Sequence, residues 1–237
     1  MQDAALITGG AKRIGKEISL LLSALGYDIA LHYNHSAAEA RQTSLQIQSN
    51  GVRCETFRCD LSSEKNVSGL ISTVKRKFPN LNLLVNSASI FEKSSLIAGS
   101  ASALNTHFAA NLKAPYILSC QFARACKKGQ IINLLDTNIS KNKTAYSAYL
   151  LSKKSLAEFT KLAAVEFAPN IRVNAIAPGL ILPPERKNKD YLERLAKRIP
   201  LKRRGHPGQI ALTVQFLLEN DFVTGQTIFV DGGEHLL

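Results

Sequence analysis

Two side chains that could carry proton-transfer chemistry lie four residues apart, in the segment Y-L-L-S-K at 149–153. Residues i and i+4 share one face of a helix, so the Tyr149 phenol and the Lys153 ammonium can point into one site. A nearby cation stabilises a phenolate and lowers the tyrosine pKa toward working pH, where proton transfer is most effective. Such pairs also occur by chance, so their meaning depends on the surrounding elements.

A glycine-rich segment, T-G-G-A-K-R-I-G at 8–15, lies between the first apolar run and the first helical pattern. Glycines let the backbone turn tightly and approach a pyrophosphate, whose charge the following helix N-terminus favours. Such turns also occur as plain connections, but this position favours dinucleotide binding. The predicted contacts come from Gly9, Lys12, Arg13, Ile14 and Gly15.

The residues that end the second predicted strand indicate which dinucleotide binds. A carboxylate there would bond the free ribose hydroxyl of NAD and repel an added phosphate. The chain has H-Y-N-H-S at 32–36 instead, which offers hydrogen-bond donors, with the basic segment of the glycine-rich turn nearby. NADPH is therefore the predicted cofactor, although two of these residues also suit a turn and a helix cap. The predicted contacts are Tyr33, Asn34, His35 and Ser36.

The ends of the third and fourth strands complete the predicted cofactor site. Asp60, followed by Leu61, could bond the adenine amino group or cap the next helix. The small residues of the turn Asn86-Ser87-Ala88 permit close approach of a ligand to the backbone, although a tight turn alone would also favour them.

These segments are positioned by elements that alternate along the whole chain. Apolar runs predict strands at 4–8, 28–33, 52–59, 81–86, 130–135, 171–176 and 227–230, and helical patterns lie at 14–25, 37–49, 64–78, 101–127, 147–167 and 208–218. Together they predict an α/β fold, a single-domain Rossmann-type doubly wound sheet of about seven parallel strands with helices on both faces. Residues 1–237 would form one NAD(P)-binding domain, with a loop-rich insert, the substrate loop, at about 177–204. Ligands of such sheets bind outside the carboxyl ends of the strands.

The composition excludes several other classes of protein. Hydrophobic residues make up 45% and charged residues 20% of the 237 residues, as in ordinary globular proteins. No apolar run reaches the roughly 20 residues of a membrane helix, and no signal peptide precedes the first strand, so we expect a cytoplasmic protein without a membrane partner. The cysteines form no CxxC pair and have no histidine at a ligand spacing, which predicts reduced thiols and no metal site.

The formal net charge of +12 raises the question of an acidic partner. No basic stretch is interleaved with aromatic residues and no nucleic-acid motif is present, so nucleic acid is not a predicted partner. Much of the excess charge lies at 186–204. A solvated surface explains this segment, and attraction of an anionic substrate or an acidic partner is the alternative.

Together these motifs resemble the short-chain dehydrogenase/reductase family over nearly the whole chain. The matching features are TGxxxxxG at 8–15, the NxA turn at 86–88, Asn111 in the fourth helix, YxxxK at 149–153, Pro178-Gly179 after the sixth strand and V-D-G-G at 230–233. The resemblance implies that Tyr149 is the proton donor and that Lys153 lowers its pKa and binds the nicotinamide ribose. It further implies that Asn86 shapes the site, that Asn111 organises a water of a proton relay, that Pro178 and Gly179 contact the cofactor, and that the chain forms a homotetramer.

One departure from the family pattern bears on the substrate. Thirteen residues before Tyr149, where the family usually has a serine that polarises a carbonyl oxygen, this chain has Asp136. A carboxylate facing a developing alkoxide is repulsive, which disfavours ketone reduction. In reduction of a C=N bond, the carboxyl group can instead bond an amino-heterocycle or relay a proton through Tyr149. The alternative is that Thr137 supplies the hydroxyl.

Further departures resemble the pteridine reductase branch of the family, which includes the dihydromonapterin and dihydrofolate reductases. They are Arg13 in place of the middle glycine, Ser89, Phe91 and Asp136, together with HYxxSAAEA at 32–40. The resemblance implies NADPH-dependent reduction of a dihydropterin (dihydrobiopterin, dihydromonapterin or dihydrofolate) to its tetrahydro form. These four residues, Tyr149 and Lys153 would line the pterin site, with Phe91 covering a flat ring. Ser87, where the family usually has asparagine, is a further departure.

The substrate loop begins at 179–184, where Leu180 and Pro183 belong to an apolar, proline-stiffened wall that suits a planar heterocycle. Two other functions stay open. A 3-oxoacyl-carrier-protein reductase or another carbonyl reductase would explain the basic segment as a docking patch, but it must accommodate Asp136. A dinucleotide-binding regulator without turnover would not need Asn111, Tyr149 and Lys153.

Overall fold

The computed structural model describes residues 2–183 and 189–237, with side chains at 2–183 and 193–237. Its seven strands are β1 (Ala4–Thr8), β2 (Asp28–Tyr33), β3 (Cys54–Arg58), β4 (Leu81–Asn86), β5 (Gly129–Leu134), β6 (Ile171–Pro178) and β7 (Thr227–Val230). They form one parallel sheet in the order β3-β2-β1-β4-β5-β6-β7. The predicted doubly wound α/β fold is confirmed.

The helices are α1 (Arg13–Ala24), α2 (Ala37–Gln48), α3 (Glu64–Val67), α4 (Leu70–Lys77), α5 (Ala101–Phe108), α6 (Ala114–Ala125), α7 (Ser147–Glu166), α8 (Lys189–Ala196) and α9 (Pro207–Glu219). Both faces of the sheet are covered, because successive residues of each strand enter different cores. Leu6, Leu84 and Ile131 lie in one core. Ile7 and Val85 lie in the other. Burial on both faces explains why these strands are continuously apolar rather than alternating.

The strand order reverses beside β1, which pairs with β2 on one side and with β4 on the other. At the carboxyl end of this pair, Thr8 lies opposite Asn86. The register therefore places the glycine-rich turn next to the turn that follows β4. A crevice at such a reversal point is where ligands of doubly wound sheets bind.

Two predicted helices differ from those observed. The pattern at 64–78 forms the separate helices α3 and α4, with Gly69 at the start of the second. The pattern at 101–127 is interrupted by a π-helical segment, Ala109–Lys113, between α5 and α6. Pro115 accounts for the second interruption, because it has no amide N–H to donate to the Asn111 carbonyl four residues earlier.

The prediction of a loop-rich insert at 177–204 is wrong in part. Strand β6 continues to Pro178, and α8 lies within the insert. Ala196 and the nearby Ile199 are buried, so this helix packs on the body of the protein. Pro184 and two basic residues of the segment, Arg186 and Lys187, lie outside the described residues.

Within residues 2–183 and 189–237, none of the helices combines the length and apolar character needed to span a bilayer. The four cysteines, Cys54, Cys59, Cys120 and Cys126, are free thiols.

Candidate active site

A cleft of about 860 Å³ opens at the carboxyl edge of the sheet. Its volume is in the range of sites that hold cofactors and small molecules. Most of the predicted site residues line it: Gly9, Lys12, Arg13, Ile14, Gly15, Tyr33, Asn34, His35, Ser36, Asp60, Leu61, Ser87, Ala88, Ser89, Phe91, Asp136, Tyr149, Lys153, Pro178, Gly179 and Leu180. The predicted residues Asn86, Asn111 and Pro183 are not among its lining.

The glycine-rich turn has no room for side chains at two positions. Gly9 has a φ of +65°, and a Cβ there would lie 3.0 Å from the Ala88 backbone. A Cβ at Gly15 would lie 2.3 Å from the Gly9 carbonyl oxygen. The hydroxyl of Thr8 accepts hydrogen bonds from the backbone N–H groups of Ser87 (2.9 Å) and Ala88 (3.1 Å), which joins the two turns. This bare backbone at the start of α1 fits a pyrophosphate.

The buried side chain of His32 supports the glycine-rich turn. Its Nδ1 accepts a hydrogen bond from the Gly9 N–H at 3.0 Å, and its Nε2 lies 2.9 Å from the Cys59 carbonyl oxygen. These two contacts require the neutral ring with the proton on Nε2. Burial lowers the pKa of His32, which favours that neutral form.

Beside the end of β2, the described part of the cleft lining contains one carboxylate, Asp60, which follows β3 rather than β2. Its Oδ1 accepts hydrogen bonds from the Ser62 hydroxyl (2.7 Å) and backbone N–H (2.9 Å). These bonds lower the pKa of Asp60, so it is ionised at neutral pH. Helix α3 begins after Ser63, so Asp60 does not cap it.

Arg13 adopts a backbone conformation that glycine usually occupies, with a φ of +57°. Its Nη2 donates a hydrogen bond to the Pro183 carbonyl oxygen at 2.9 Å. The contact joins the glycine-rich turn to the substrate loop. Pro183, although outside the cleft lining, is therefore tied to the site through Arg13.

The side chains of Tyr149 and Lys153 are both buried on α7 and face the cleft. The Tyr149 hydroxyl donates a hydrogen bond to Asp136 Oδ2 at 2.9 Å. Lys153 Nζ donates to the Leu134 carbonyl oxygen at 2.7 Å and lies 6.0 Å from the centre of the Tyr149 ring. The predicted pair is thus extended by a carboxylate to a group of three side chains.

The pKa of Tyr149 lies above its ordinary value, and the lowering by Lys153 that the family resemblance implies stays a prediction. Burial raises the Tyr149 pKa well above its usual value, and the charge and hydrogen bond of Asp136 raise it further. Burial also lowers the Lys153 pKa to about 8, against the opposing effect of Asp136. Burial is therefore the main cause of the raised Tyr149 pKa, and the Asp136 carboxylate acts in the same direction.

The folding stability of the cofactor-free protein should report the Lys153 shift. Between about pH 8 and 10.5 the unfolded chain binds a proton at Lys153 that the folded chain does not, so this group makes the free energy of unfolding rise with pH. The free energy of unfolding of wild type, measured relative to that of Lys153→Met, should therefore increase by up to about 1.4 kcal/mol per pH unit in this window. Urea unfolding at several pH values measures it, and a constant difference would contradict the shift.

Thr137, the alternative source of a hydroxyl, is turned toward another partner. Its hydroxyl donates a 2.5 Å hydrogen bond to Asp231 Oδ2. The Asp231 carboxylate also accepts bonds from Gly233 and from His235, so it holds the C-terminal turn against the turn that follows β5. Of the two neighbouring residues Asp136 and Thr137, Asp136 is the one that bonds Tyr149.

Two predicted residues lie behind the cleft instead of lining it. Asn86 Nδ2 donates to Asn133 Oδ1 at 2.8 Å, within a buried polar group beneath the turn. The Asn111 side chain bonds the backbone of Ile90 in both directions and also bonds the hydroxyls of Ser89 and Ser152. Both side chains hold the backbone that shapes the site, and direct contact with a ligand is not what the geometry shows.

Aromatic side chains form one wall of the cleft. Phe91 stacks on Tyr146 with ring centres 4.5 Å apart and meets Tyr149 edge-on at 4.7 Å. The ring of His107, which is buried, lies 6.4 Å from that of Tyr149. Phe91 is 46% exposed, so part of its ring is available to a planar ligand.

The polar residues of the cleft that sequence reasoning missed include Asn138, Lys143 and Glu234. Glu234 Oε1 lies 3.7 Å from Lys143 Nζ and 3.6 Å from that of Lys141. No sequence pattern indicates that the C-terminal turn reaches this loop. Asn138 had a local signal, because an Asp two residues earlier commonly accepts a bond from its backbone N–H.

The chain is similar to several proteins of known identity. The profile of a family described as enoyl-(acyl carrier protein) reductase matches residues 9–235. The 3-oxoacyl-[acyl-carrier-protein] reductase FabG of Staphylococcus epidermidis is 31% identical over 247 residues, with full coverage of both chains. The crystal structure of FolM alternative dihydrofolate reductase 1 from Brucella suis in complex with NADP has a TM-score of 0.95 and 36% identity, and covers 99% of this chain and 96% of that one.

A mutant form of a short-chain dehydrogenase/reductase from Serratia marcescens has a TM-score of 0.91 and 25% identity, and covers 98% of this chain and 97% of that one. These similarities extend over the whole sheet and include both the glycine-rich turn and α7. The chain therefore belongs to the short-chain dehydrogenase/reductase family.

Proposed function

We propose that this chain is an NADPH-dependent reductase that converts a dihydropterin to its tetrahydro form by hydride transfer to a C=N bond. The observation that carries the proposal is the 2.9 Å hydrogen bond from the Tyr149 hydroxyl to Asp136, where the family usually has a serine. The 36% identity to a protein named as an alternative dihydrofolate reductase, in complex with NADP, supports it.

The cofactor assignment depends on the shape and charge of the cleft. The bare backbone at Gly9 and Gly15 suits a pyrophosphate. The end of β2 offers Asn34, His35 and Ser36 as donors to an added ribose phosphate, whereas the nearby carboxylate is that of Asp60 after β3, whose Oδ1 accepts a 3.5 Å bond from Asn34 Nδ2. Lys12 and Arg13 line the same cleft. When bound, the dinucleotide supplies the hydride.

The proton in this reaction comes from Tyr149. Reduction adds a hydride to carbon and a proton to nitrogen, so the C=N bond becomes CH–NH and the donor is left as phenolate until it is reprotonated. The raised pKa of Tyr149 keeps its hydroxyl protonated at neutral pH. A protonated donor is what the reductive direction requires, because oxidation would begin from the phenolate. Lys153, one helical turn after Tyr149, is held by the hydrogen bond that its Nζ donates to the Leu134 carbonyl oxygen.

Asp136 favours an amino-heterocycle over a ketone. An ionised carboxylate only accepts hydrogen bonds, so it can bind the N–H groups of such a ring and repels a developing alkoxide. The exposed part of Phe91 offers a planar surface beside it.

A carbonyl reductase is the second candidate. Its support is the 31% identity to a 3-oxoacyl-[acyl-carrier-protein] reductase over the whole of both chains. It requires a donor for a carbonyl oxygen besides Tyr149. Thr137 carries the hydroxyl nearest in sequence to position 136, and this hydroxyl is bonded to Asp231.

Oxidation of NADPH with dihydrobiopterin, dihydromonapterin, dihydrofolate or an acetoacetyl thioester separates the two candidates. We expect turnover with at least one dihydropterin, and faster turnover with NADPH than with NADH. Turnover with the thioester alone would refute the pterin assignment and support the carbonyl reductase.

The homotetramer and the cytoplasmic location belong to the proposal and stay predictions. Exposed apolar side chains on α5, α6 and α7 offer surface for subunit contacts: Leu104, Tyr116, Leu151, Leu162 and Val165. Sedimentation velocity measures the assembly, and a monomer at micromolar concentration would contradict it.

A further inference from the structure

The carboxylate of Asp136 is held from the side that faces away from Tyr149. Asn138 donates two hydrogen bonds to Asp136 Oδ1, from its backbone N–H at 2.8 Å and from its side-chain Nδ2 at 2.6 Å. The Tyr149 hydroxyl donates to the other oxygen, Oδ2. Asn138 itself lines the cleft, in the 3-10 turn Thr137–Ser140.

These contacts determine where the proton that joins Asp136 and Tyr149 can lie. Because Oδ1 already accepts two N–H groups, it has no position for a proton of its own. The opposite orientation of the Asn138 amide would place two oxygens 2.6 Å apart, which is repulsive unless a proton lies between them. The remaining proton of the group therefore lies between Asp136 Oδ2 and the Tyr149 oxygen.

The contact with Asp136 is also what holds the Asn138 side chain. Its own oxygen, Oδ1, is buried and has no hydrogen-bond partner among the described residues. An unpaired buried acceptor is unfavourable, so the oxygen does not account for the observed orientation. On the other side of the turn, the Thr137 hydroxyl is anchored by Asp231.

We propose that Asn138 is a positioning residue of the reductase, which holds Asp136 by Oδ1 so that Oδ2 alone faces Tyr149. Tyr149 then keeps the proton that it delivers to the substrate. The inference rests on the proposed function for its catalytic consequence, whereas the effect on Asp136 does not need turnover.

Several other ionisable groups lie on the elements around the Asp136 carboxylate. Tyr149 and Lys153 face it from α7. Lys143 and Glu234 line the same cleft. Asp231 approaches the turn from behind, through Thr137. A variant that changes only the Asn138 amide leaves all of these groups in place, so its effect can be attributed to the lost donor.

The test compares Asn138→Leu, which keeps the size of the side chain and removes its donor, with the matched control Asn142→Leu. Asn142 is exposed, lies in the following loop and accepts a bond from Lys154 outside the cleft. Loss of a donor disfavours the charged carboxylate. We expect the acid-side fall of kcat with a dihydropterin to move upward by about one pH unit in Asn138→Leu only, with NADPH affinity unchanged.

Carbon-13 NMR of labelled aspartate carboxyl groups gives a second readout without turnover. The Asp136 signal is the one that Asp136→Asn removes. In the cofactor-free protein its titration midpoint should move upward in Asn138→Leu, and in Asn138→Ala should the leucine variant not fold. An unchanged midpoint overturns the proposal. A shifted midpoint in a protein that reduces no dihydropterin would refute the proposed function and leave the positioning of Asp136 established.

Discussion

Tyr149→Phe is expected to lower dihydropterin turnover by about 10²–10⁴-fold and to leave NADPH binding intact. The hydroxyl is the proton donor of the proposed reaction, and its removal leaves the ring and its contacts with Phe91 in place. The measurement is kcat by NADPH oxidation, with the NADPH dissociation constant from nicotinamide fluorescence.

The control for this variant is Tyr116→Phe, which removes the same hydroxyl from an exposed tyrosine on α6, outside the cleft lining. Its turnover should equal that of wild type. Retained turnover in Tyr149→Phe would contradict the role of Tyr149 as the acid. Turnover and NADPH binding lost together would instead indicate a damaged site, which circular dichroism and thermal unfolding would reveal.

Asp136→Ser is expected to lower dihydropterin turnover by about 10²–10³-fold while NADPH affinity changes little. Asp136 is also the N-cap of the 3-10 turn that follows it, accepting a bond from the Asn138 N–H. Serine is a good N-cap, so this substitution removes the charge and keeps the means of forming the turn. The variant also restores the residue that the family usually has before its catalytic tyrosine.

The same variant separates the two candidate functions. A hydroxyl beside Tyr149 can bond a carbonyl oxygen, so activity toward the acetoacetyl thioester should rise relative to activity toward dihydropterins. Asp221→Ser, at an exposed position outside the cleft lining, is the matched control and should change neither rate. Equal dihydropterin activity in wild type and Asp136→Ser would show that the carboxylate has no part in the reaction.

Much of the fold could be predicted because its signals are local. A strand buried on both faces is a short apolar run, and the glycine-rich turn is visible as a run of sequence before the first helix. The interruption near Asn111 depends on Pro115, which was visible in the sequence, but the choice between a kink and a π-helical segment depends on packing. Helix α8 lies in a segment predicted as loop, although Leu192, Leu195 and Ala196 recur at helical spacing.

For the candidate site, the sequence could predict which segments of the chain come together. The carboxyl ends of parallel strands share one edge, so the residues that follow them converge on one cleft. The directions of individual side chains could not be predicted in this way. Asn86 and Asn111 follow the family pattern, yet their side chains bond neighbouring backbone and side chains behind the cleft.

By itself, the sequence determined the parallel sheet, the pairing of Tyr149 with Lys153 on one helix face, and the presence of a carboxylate at 136, because helix periodicity and residue type are local properties. Only the tertiary structure decided that Asp136 bonds Tyr149 while Thr137 turns to Asp231, 94 residues away. These choices depend on how β5, α7 and the C-terminal turn pack against one another. The same packing raises the Tyr149 pKa, because it buries the phenol and places the Asp136 carboxylate beside it.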